Sequence, residues 1–515
     1  MGIMEEELKL LEEREGMALV PGVRKSIEKH HASGKLTARE RVNMFFDDGT
    51  FVETAMYAQH QCMDFGMEKY RPYGDGLITG FGEVDGRLVY AYAMDATVYG
   101  GSLGHTTQEK LNRLLADSRE SKAPVVGLWD GGGGRIQEGS SYGFDHFFAQ
   151  NIKSSGVVPQ ISVIMGICAG GAVYSPALTD FIIMVEGTSK MFITGPAVIK
   201  KVTGEDITME ELGGAKPQSE ISGVCDLVAK DEADALKMTK KLLNFLPSSY
   251  LEKPPVVDTG DDPERCDNAL ADLIPDNMRR PFNMHKLINM VVDNGDFFEV
   301  KAGFARNMIT GFARMEGYSV GIVANNPRVN AGAIDSDASD KAARFFRTCD
   351  CYNVPLITFV DVPGYMPGVA EEHKGIIRHG AKMLYGYVEA TVPKICVVIR
   401  KAYGGSYTAM GTKTMGADYT FAWPTAEIAL MGAEGAVQIL YGKDISVAAD
   451  PEAVREEKRR EYMQKYGTPY YGASRMIADV VIRPQETRPR LIRALKLLKD
   501  KKKGFPARKH GNIPL

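Results

Sequence analysis

The sequence lacks an excess of charge of either sign and is poor in cysteine. Its 62 Lys and Arg residues nearly balance 66 Asp and Glu residues, giving a net charge of −4. Proteins whose main ligand is nucleic acid carry a strongly basic surface, so this balance predicts no nucleic-acid partner. The seven cysteines include one close pair, Cys349 and Cys351, without a second pair or a histidine cluster at zinc spacing. Reduced thiols are therefore predicted, with no disulfide framework and no metal site.

A recognisable targeting segment and a long apolar run are also missing. Residues Met1–Glu7 are acidic, with no apolar stretch behind a basic start, so no signal peptide is predicted. Glu6 stands where a myristoylation signal requires Ser or Thr. The most apolar stretch, 157–178, contains Pro159, Pro176 and three glycines, which predicts a buried strand–turn–helix and not a membrane span. We therefore expect a cytoplasmic protein.

The motifs of common nucleotide-binding and nucleophilic enzymes are absent as well. No Gly-x-x-x-x-Gly-Lys loop or Gly-x-Gly-x-x-Gly fingerprint occurs between a predicted strand and helix, so the chain is not expected to hydrolyse ATP itself. No Gly-x-Ser-x-Gly elbow occurs in such a context, and the nine histidines are scattered singly. The best histidine candidate for a site is His379, although a helical histidine beside Arg378 is more often structural.

What the sequence does contain is enough chain for two domains. Single hydrophobic cores stop growing near ~250–300 residues, and this chain has 515. The segment Pro254–Pro263 is rich in Pro, Gly and Asp, which predicts domains at 1–259 and 260–515. Short apolar runs such as 125–129 and 160–165 alternate with longer helical stretches. That alternation predicts an α/β fold with both faces of each sheet covered.

The sequence also predicts several local features. Leucines at helical spacing among Glu and Lys predict a first helix, which Gly16 interrupts. Thr37, with Glu40 three residues later, predicts a helix start with a capping box. Asp85-Gly86 is predicted to form the turn between two strands. The stretch Arg488–Lys503 is predicted to be a basic helix with one apolar side.

The two halves also resemble each other. Each half contains an aspartate that begins a turn, then a Gly-Gly pair that follows a predicted strand, then a further glycine, at similar intervals. These features are Asp130, Gly170-Gly171 and Thr194–Pro196 in the first half, and Asp361, Gly404-Gly405 and Met431-Gly432 in the second. Two matched intervals in the same order favour duplication of one fold.

The glycine turns are the strongest candidates for chemistry. Segment Asp130–Gly139 contains four successive glycines, and Gly166–Pro176 contains a Gly-Gly pair before a predicted helix. Glycines let several N–H groups point into one cavity at a helix start. Two converging N–H groups form an oxyanion hole, which stabilises the enolate of a thioester. The alternative is that the glycines only permit tight packing of helix on sheet, but their repetition in both halves favours the hole.

Long strings across nearly the whole chain resemble one known family. The chain resembles the carboxyltransferase (β) subunit of biotin-dependent acyl-CoA carboxylases of the propionyl-CoA carboxylase type. It is also similar to the carboxyltransferase subunit of the sodium-pumping methylmalonyl-CoA decarboxylases. The strings are Gly34–Arg41, Cys168–Phe181, Met191–Pro196, Ala338–Phe345, Gly375–Lys382, Arg400–Tyr407, Ala422–Pro424 and Lys509–Leu515.

The resemblance implies an architecture and partners. It implies two tandem crotonase-like (ββα superhelix) domains, with acyl-CoA bound by the N-terminal domain and biotin by the C-terminal one. It implies a homohexamer in which each active site lies between the N-terminal half of one subunit and the C-terminal half of its dimer mate. The chain has no Met-Lys-Met biotinylation site and no ATP-grasp-like region. Biotin is therefore expected on a separate biotin carboxyl carrier protein, with a biotin carboxylase subunit or membrane decarboxylase subunits as further partners.

Site residues follow from the same resemblance. Gly170 and Gly171 would hold the thioester oxygen, and Gly405 and Ser406 the ureido oxygen of biotin. Further residues are expected to bind the acyl-CoA: Gly133, Gly134, Arg135, Ala169, Ala172, Tyr174 and Thr408. Others are expected to bind biotin: Gly364, Tyr365, Tyr403 and Gly404. The base would come from the ureido anion of biotin, which explains why no acidic or basic dyad stands out.

Three departures from the family pattern leave the acyl group open. They are the all-glycine turn at Gly131–Gly134, the segment after Lys216 that begins at Pro217, and Thr408 where propionyl-type enzymes commonly have Asp. The direction, carboxylation or sodium-pumping decarboxylation, is also open. A non-catalytic acyl-CoA-binding scaffold is an alternative from another class. A hydratase or hydrolase of the crotonase class is a third, weakened by the absence of a Glu pair or triad at a turn.

Overall fold

The chain forms two compact units. The computed structural model describes residues 2–139, 144–278 and 280–515. Its contacts divide the chain into Met1–Glu252, here unit 1, and Lys253–Leu515, here unit 2. The proline-rich segment that marked the predicted boundary after residue 259 therefore begins unit 2.

Unit 1 is built on a mixed sheet whose strands run in the order β1-β2-β3-β4-β5-β6-β8, with β7 on the end of β5. β1, β2 and β3 pair antiparallel, and β3 to β8 pair parallel. The strands are β1 (Val52–Thr54), β2 (Leu77–Val84), β3 (Arg87–Met94), β4 (Val125–Gly131), β5 (Gln160–Ala169), β6 (Phe181–Val185), β7 (Lys190–Phe192) and β8 (Leu227–Ala229).

The first helices of unit 1 precede the sheet, the next connect its parallel strands, as parallel pairing requires, and the last follows β8. They are α1 (Ile3–Leu19), α2 (Arg24–Ala32), α3 (Ala38–Phe45), α4 (His105–Ser121), α5 (Phe144–Ser154), α6 (Tyr174–Leu178), α7 (Pro196–Thr203), α8 (Met209–Gly213), α9 (Ala215–Glu220) and α10 (Glu232–Phe245).

Unit 2 repeats this sheet strand for strand, in the order β9-β10-β11-β12-β13-β14-β16, with β15 on the end of β13. Its strands are β9 (Phe298–Val300), β10 (Met308–Met315), β11 (Tyr318–Asn325), β12 (Leu356–Val362), β13 (Lys394–Tyr403), β14 (Tyr419–Ala422), β15 (Glu427–Ala429) and β16 (Val480–Val481). Its helices are α11 (Met284–Val291), α12 (Ser336–Cys351), α13 (Val369–Lys374), α14 (Ile376–Glu389), α15 (Gly404–Gly411), α16 (Ala433–Val447), α17 (Pro451–Tyr466), α18 (Pro469–Ser474) and α19 (Thr487–Leu498).

The repetition extends to single backbone hydrogen bonds beside the glycine turns. In unit 1 the N–H of Leu103 donates to the carbonyl of Gly133, and the N–H of Arg135 donates to the carbonyl of Leu103. In unit 2 Ile334 makes the same two bonds with Gly364 and Met366. The α/β fold and the internal duplication predicted from the sequence are therefore confirmed.

Each unit has its own hydrophobic core, with one of the two tryptophans of the chain at its centre. Trp129 of β4 is buried, and its indole N–H donates to Ser162 Oγ at 3.2 Å. Trp423, after β14, is buried too, and its indole N–H donates to Thr487 Oγ1 at 2.9 Å. A buried indole needs such an acceptor, so each core carries its polar group without a lost hydrogen bond.

Local predictions from the sequence have mixed outcomes. Thr37 caps α3 in a capping box with Glu40, as predicted. Asp85 and Gly86 form the β2–β3 turn with positive φ angles, also as predicted. Residues 157–178 form a strand, a 3₁₀ turn and a helix, and no helix in the described ranges is long and apolar enough to cross a membrane.

Two helix predictions are wrong. Gly16 was expected to interrupt the first helix, but α1 continues through it to Leu19. A single glycine costs a helix only ~1 kcal/mol relative to alanine, and the neighbouring Glu and Leu residues favour the helix. The basic C-terminal helix was expected to reach Lys503, but α19 ends at Leu498, where its apolar positions stop and a run of lysines begins.

A buried lysine occupies the same place on the helix that follows the central hairpin of each unit. Lys110 of α4 donates from Nζ to the carbonyls of Gly74, at 3.2 Å, and Leu77. Lys341 of α12 donates to three carbonyls, at 2.7–2.8 Å. The carbonyls belong to Lys301, Phe304 and Met308. Each ammonium therefore fixes the irregular segment that leads into the central hairpin.

Replacement of Lys341 by Met should lower the free energy of unfolding by about 2–4 kcal/mol, because three buried carbonyls lose their charged donor. Urea denaturation followed by tryptophan fluorescence measures the change. Lys286→Met, at an exposed position of α11, is the matched control and should leave the midpoint unchanged. Equal midpoints for the two variants would contradict a structural role of the ammonium.

Candidate active site

The Gly-Gly turn of unit 1 lies where β5 meets the next helix. β5 ends at Ala169, and Gly170 has φ +66°, a conformation that favours glycine. A 3₁₀ turn, Gly170–Val173, then leads into α6. The N–H groups of Gly170 and Gly171 belong to the first two residues of this turn, so they have no acceptor within it. Gly171 is exposed, which leaves its N–H accessible to a ligand.

The corresponding turn of unit 2 has the same geometry. β13 ends at Tyr403, Gly404 has φ +52°, and α15 begins at Gly404. Gly405 and Ser406 are the second and third residues of α15, so their N–H groups also lack a helical acceptor. The hydroxyl of Ser406 donates to the carbonyl of Tyr403 at 2.8 Å, so the side chain is bound within the turn. What this turn offers a ligand is therefore main-chain N–H.

The protein's own packing explains some of these glycines and not others. A Cβ on Gly404 would lie 2.7 Å from the carbonyl oxygen of Leu430, and one on Gly133 would lie 2.8 Å from that of Ala169. At Gly171 and Gly405 a Cβ would meet no atom within 4 Å, and neither residue has a positive φ. The alternative interpretation of the turns, tight packing of helix on sheet, therefore accounts for Gly133 and Gly404 but not for Gly171 and Gly405. No protein atom occupies the space beside Gly171 and Gly405, so a ligand can approach this part of each turn.

Each unit has a buried carboxylate near the end of a central strand, β4 in unit 1 and β12 in unit 2. The two carboxylates are bound by different cations. In unit 1, Asp130 accepts from Lys35 Nζ and from Arg41 Nη2, both at 3.0 Å. In unit 2, Asp361 accepts from Arg400 at 2.7 and 3.2 Å. Asp130 is the penultimate residue of β4 and Asp361 that of β12, so these ion pairs fix the turns that follow β4 and β12 to the sheet. Buried and paired, neither carboxylate is available as a base.

The cations of unit 1 come from the N-terminal segment. Arg41 also binds Glu232 of α10 through two hydrogen bonds, at 2.6 and 2.8 Å, and both side chains are buried. His30 lies beside the same carboxylate, with Nε2 3.5 Å from Asp130. Burial, followed by the charge of Lys35, lowers the pKa of His30, so its ring is neutral at pH 7. The segment that joins α2 and α3 thus completes the support of the first turn.

Sequence reasoning missed this support. The string Gly34–Arg41 entered as a helix start and as part of the family resemblance, and Arg400 only as part of another such string, so neither was linked to an aspartate. One signal was present: Gly166 of β5 stands at the position that Arg400 occupies in β13. A Cβ there would lie 1.8 Å from Asp130 Oδ1, so the glycine makes room for a carboxylate bound from elsewhere.

The prediction that Arg135 binds substrate is not supported by its contacts. A guanidinium has five N–H donors, and all five of those of Arg135 are used in hydrogen bonds within the protein. Its Nη1 donates to Asp75 at 2.7 Å and Glu138 at 2.9 Å, and its Nε and Nη2 donate to Ser102 and to the carbonyl of Asp75. Arg135 is therefore a positioning residue for the glycine turn. The sequence could not show these contacts, because the partner Asp75 lies 60 positions away along the chain.

The other residues predicted around the first turn lie as follows. Gly134 pairs with Leu103, and Ala169 ends β5. Ala172 is buried inside the 3₁₀ turn, whereas the Tyr174 side chain is 49% exposed and faces solvent beside it. Tyr174 is thus the side chain of this group that a bound molecule can reach. Gly131, one of the departures from the family pattern, lies so close to Gly101 that a Cβ would be 2.1 Å from its carbonyl oxygen.

The residues predicted to bind biotin differ in whether other protein atoms already contact them. Gly364 is open, with no atom within 4 Å of a Cβ. Tyr365 packs against Gly380, burial raises its pKa to about 12, and its buried hydroxyl has no hydrogen-bond partner among the described residues. Tyr403 is occupied, because its hydroxyl donates to Glu427; burial and that carboxylate raise its pKa. Tyr365 therefore has a free polar group for a ligand, and Tyr403 does not.

Thr408 and His379 have local partners. The hydroxyl of Thr408 donates to the carbonyl of Gly404 at 3.2 Å, one helical turn back. Nδ1 of His379 lies 2.8 Å from Asp340, which also binds Lys382. These contacts agree with the interpretation of His379 as a structural residue. Pro217, the remaining departure, lies inside the short helix α9.

A family model for the carboxyl transferase domain matches residues 29–513. The chain belongs to this family. It is 53% identical over 514 residues to the carboxyltransferase subunit of propionyl-CoA carboxylase from Haloferax mediterranei, covering 99% of this chain and 100% of that one. It is 52% identical over 517 residues to methylmalonyl-CoA decarboxylase subunit alpha from Veillonella parvula, covering 100% of both.

A solved structure resembles the whole chain. A crystal structure of the transcarboxylase 12S hexamer, with methylmalonyl-CoA and methylmalonic acid bound, matches with a TM-score of 0.97 at 48% identity. The match covers 100% of this chain and 99% of that one. The prediction of two tandem crotonase-like domains and the family resemblance are both confirmed.

Replacement of Gly171 or Gly405 by Ala should lower kcat/KM for carboxyl transfer by about 100-fold, because the added methyl group occupies the space beside the free N–H groups. Since no protein atom lies within 4 Å of either methyl, the thermal unfolding midpoint should stay unchanged. Gly16→Ala, with equally open space in α1, is the matched control and should keep full activity. Full activity of both turn variants would exclude ligand contact at these amides.

Proposed function

We propose that this protein is the carboxyltransferase subunit that moves a carboxyl group between carboxybiotin, on a separate carrier protein, and the α carbon of a short-chain acyl-CoA such as propionyl-CoA. One observation carries the proposal: each unit ends a central parallel strand in a glycine turn with two N–H groups that lack internal acceptors. A reaction that develops negative charge on two oxygens needs two such sites. The relatives named for propionyl-CoA carboxylase and methylmalonyl-CoA decarboxylase support the substrate class.

We assign the thioester oxygen to the N–H groups of Gly170 and Gly171. The exposed Gly171 and the accessible ring of Tyr174 leave room for an acyl group beside the turn. As the thioester loses its α-proton, negative charge grows on its oxygen, and fixed N–H dipoles stabilise this charge without reorganising. Asp130, held by Lys35 and Arg41, fixes the neighbouring turn after β4 and takes no part in proton transfer.

We assign the ureido oxygen of biotin to the N–H groups of Gly405 and Ser406. The uncharged ureido group fits this turn, because the turn offers N–H donors and no charged side chain. Gly364 and the free hydroxyl of Tyr365 are further residues that would hold the ring. Bound carboxybiotin supplies the carboxyl group and, after its release, the base for the α-proton. The protein supplies placement and two sets of dipoles, in agreement with the absence of a free acid–base pair beside the described turns.

A homohexamer is supported by apolar side chains that both units expose at equivalent positions. Ile193 and Val202 of unit 1 are 59% and 76% exposed, and Leu430 and Ile439 occupy the matching positions of unit 2 at 79% and 70%. Exposed apolar patches of this kind mark contact surfaces. The 12S core, named as a hexamer, supports the number of subunits. We infer that each active site joins the first turn of one subunit to the second turn of its dimer mate.

An acyl-CoA panel tests the function. With a carboxylated biotin carrier, propionyl-CoA should give a kcat/KM about tenfold or more above that for acetyl-CoA or butyryl-CoA, since one methylene is worth roughly 1–3 kcal/mol in a shaped pocket. Omission of the carrier should abolish turnover. Tight binding of acyl-CoA without turnover would instead favour the scaffold, and turnover without biotin would favour a hydratase or hydrolase.

The direction is tested by purifying the native complex. Co-purification with a biotin carboxylase subunit supports the carboxylase assignment, because that partner uses ATP to drive carboxylation. Co-purification with membrane subunits would overturn it in favour of the sodium-pumping decarboxylase.

A further inference from the structure

A cavity lies in unit 2, at the opposite edge of the sheet from the glycine turns. Its wall includes Pro355 and Pro393, which precede β12 and β13. The turns follow the other ends of these strands. Because a parallel strand rises ~3.3 Å per residue, the seven residues of β12 separate the cavity from the turn at Gly364 by roughly 20 Å. The cavity is therefore distinct from the candidate active site.

The cavity has the size and floor of a small-molecule site. Its volume is about 610 Å³, and ligand pockets commonly measure roughly 300–1,000 Å³. Met315 of β10 and the α19 residues Ile492 and Leu495 supply buried apolar surface to its wall. An apolar body is thus the part of a ligand that the interior accommodates.

The rim of the cavity is strongly basic. Six lysines line it against two carboxylates, Glu316 and Asp500. The lysines are Lys253, Lys496, Lys499, Lys501, Lys502 and Lys503.

Only half of these lysines have a carboxylate partner. Lys496 pairs with Glu316, Lys253 with Asp500, and Lys501 with Asp418. Lys499, Lys502 and Lys503 are exposed and have no carboxylate partner in the part of the chain that the structure describes. The charges of these lysines also affect a neighbouring group. Burial, followed by the positive charges of Lys503 and Lys501, lowers the pKa of Lys394 to about 7. The rim therefore favours an anionic group.

A buried hydroxyl in the cavity wall lacks a partner. Ser319 of β11 is 3% exposed, and its Oγ makes no hydrogen bond to any described residue. Buried hydroxyls are normally hydrogen-bonded, so Ser319 is an unpaired polar group in the wall of the cavity.

Unit 1 provides an internal reference, because its equivalent face is different. Leu88 of β3 is the equivalent of Ser319, because Leu88 pairs with Glu83 in the first hairpin as Ser319 pairs with Arg314 in the second. The N–H of Tyr250 donates to the carbonyl of Val157 at 3.1 Å, so the chain after α10 covers this edge. The space that remains there is about 310 Å³. The larger cavity, the hydroxyl and the lysine rim thus belong to unit 2 and are not a general feature of the repeated fold.

We propose that this cavity binds a small amphipathic anion. Its apolar body lies against Met315, Ile492 and Leu495, and its carboxylate or phosphate headgroup lies among the three unpaired lysines.

Titration calorimetry on the full chain tests the proposal with decanoate and decyl phosphate, each below its critical micelle concentration, and with decanol below its solubility limit. At least one of the two anions should bind saturably with one site per chain, and decanol should bind at least tenfold more weakly. The comparison of the two anions identifies the headgroup. Decanol binding as tightly as the anions, or no saturable binding of either anion, would overturn the proposal.

Variants locate the binding. Val256→Trp, at a half-exposed wall position, should weaken anion binding at least tenfold, while Val257→Trp, its neighbour outside the wall, should not. The triple variant Lys499→Glu, Lys502→Glu and Lys503→Glu should weaken binding similarly, with Lys286→Glu as the charge control. Circular dichroism checks that each variant is folded. Unchanged affinity in Val256→Trp and in the triple variant would place the binding elsewhere and refute the site.

Discussion

The free main-chain N–H groups at the start of two short helices are the constraint on which the rest of the molecule depends. A helix cannot satisfy its first N–H groups internally, and a strand that turns directly into a helix through a left-handed glycine presents them at the sheet edge. Gly170 and Gly404 make this turn possible, with φ +66° and +52°. Gly171 and Gly405 keep the space beside the amides open. The chemistry of this family can therefore be built from backbone, with side chains serving to hold the backbone in place.

Duplication explains why the same strand, glycine turn and helix occur in both units, and later divergence explains how the two copies differ. The strand order, the hydrogen bonds beside the turns and the buried aspartate recur in both units. The cations do not: Asp130 is held by the N-terminal segment, whereas Asp361 is held by Arg400 from the adjacent strand. Each unit therefore keeps the geometry of the amides while the surroundings change, which is compatible with our proposal that the two turns bind different oxygens.

The sequence predicted the parts that depend on local pattern and repetition, and missed those that depend on distant partners. Apolar runs and glycines placed the central strands and the turns, and the matched intervals revealed the duplication. The ion pairs of Asp130 join residues about 90 positions apart along the chain, so no spacing rule could find them. The ion pair of Arg135 could not be predicted for the same reason, because Asp75 lies 60 positions away. The C-terminal helix was extended too far because a run of lysines is compatible with a helix but gives it nothing to pack.

The central claim is that main-chain N–H groups, and not acidic or basic side chains, bind the two reacting oxygens. A structure of the assembled protein with a non-reactive propionyl-CoA analogue and biotin tests it most directly. The account predicts the thioester oxygen about 2.7–3.1 Å from the nitrogens of Gly170 and Gly171, and the ureido oxygen at similar distances from those of Gly405 and Ser406. Either oxygen bound by a charged side chain, or left in water away from these amides, would contradict it.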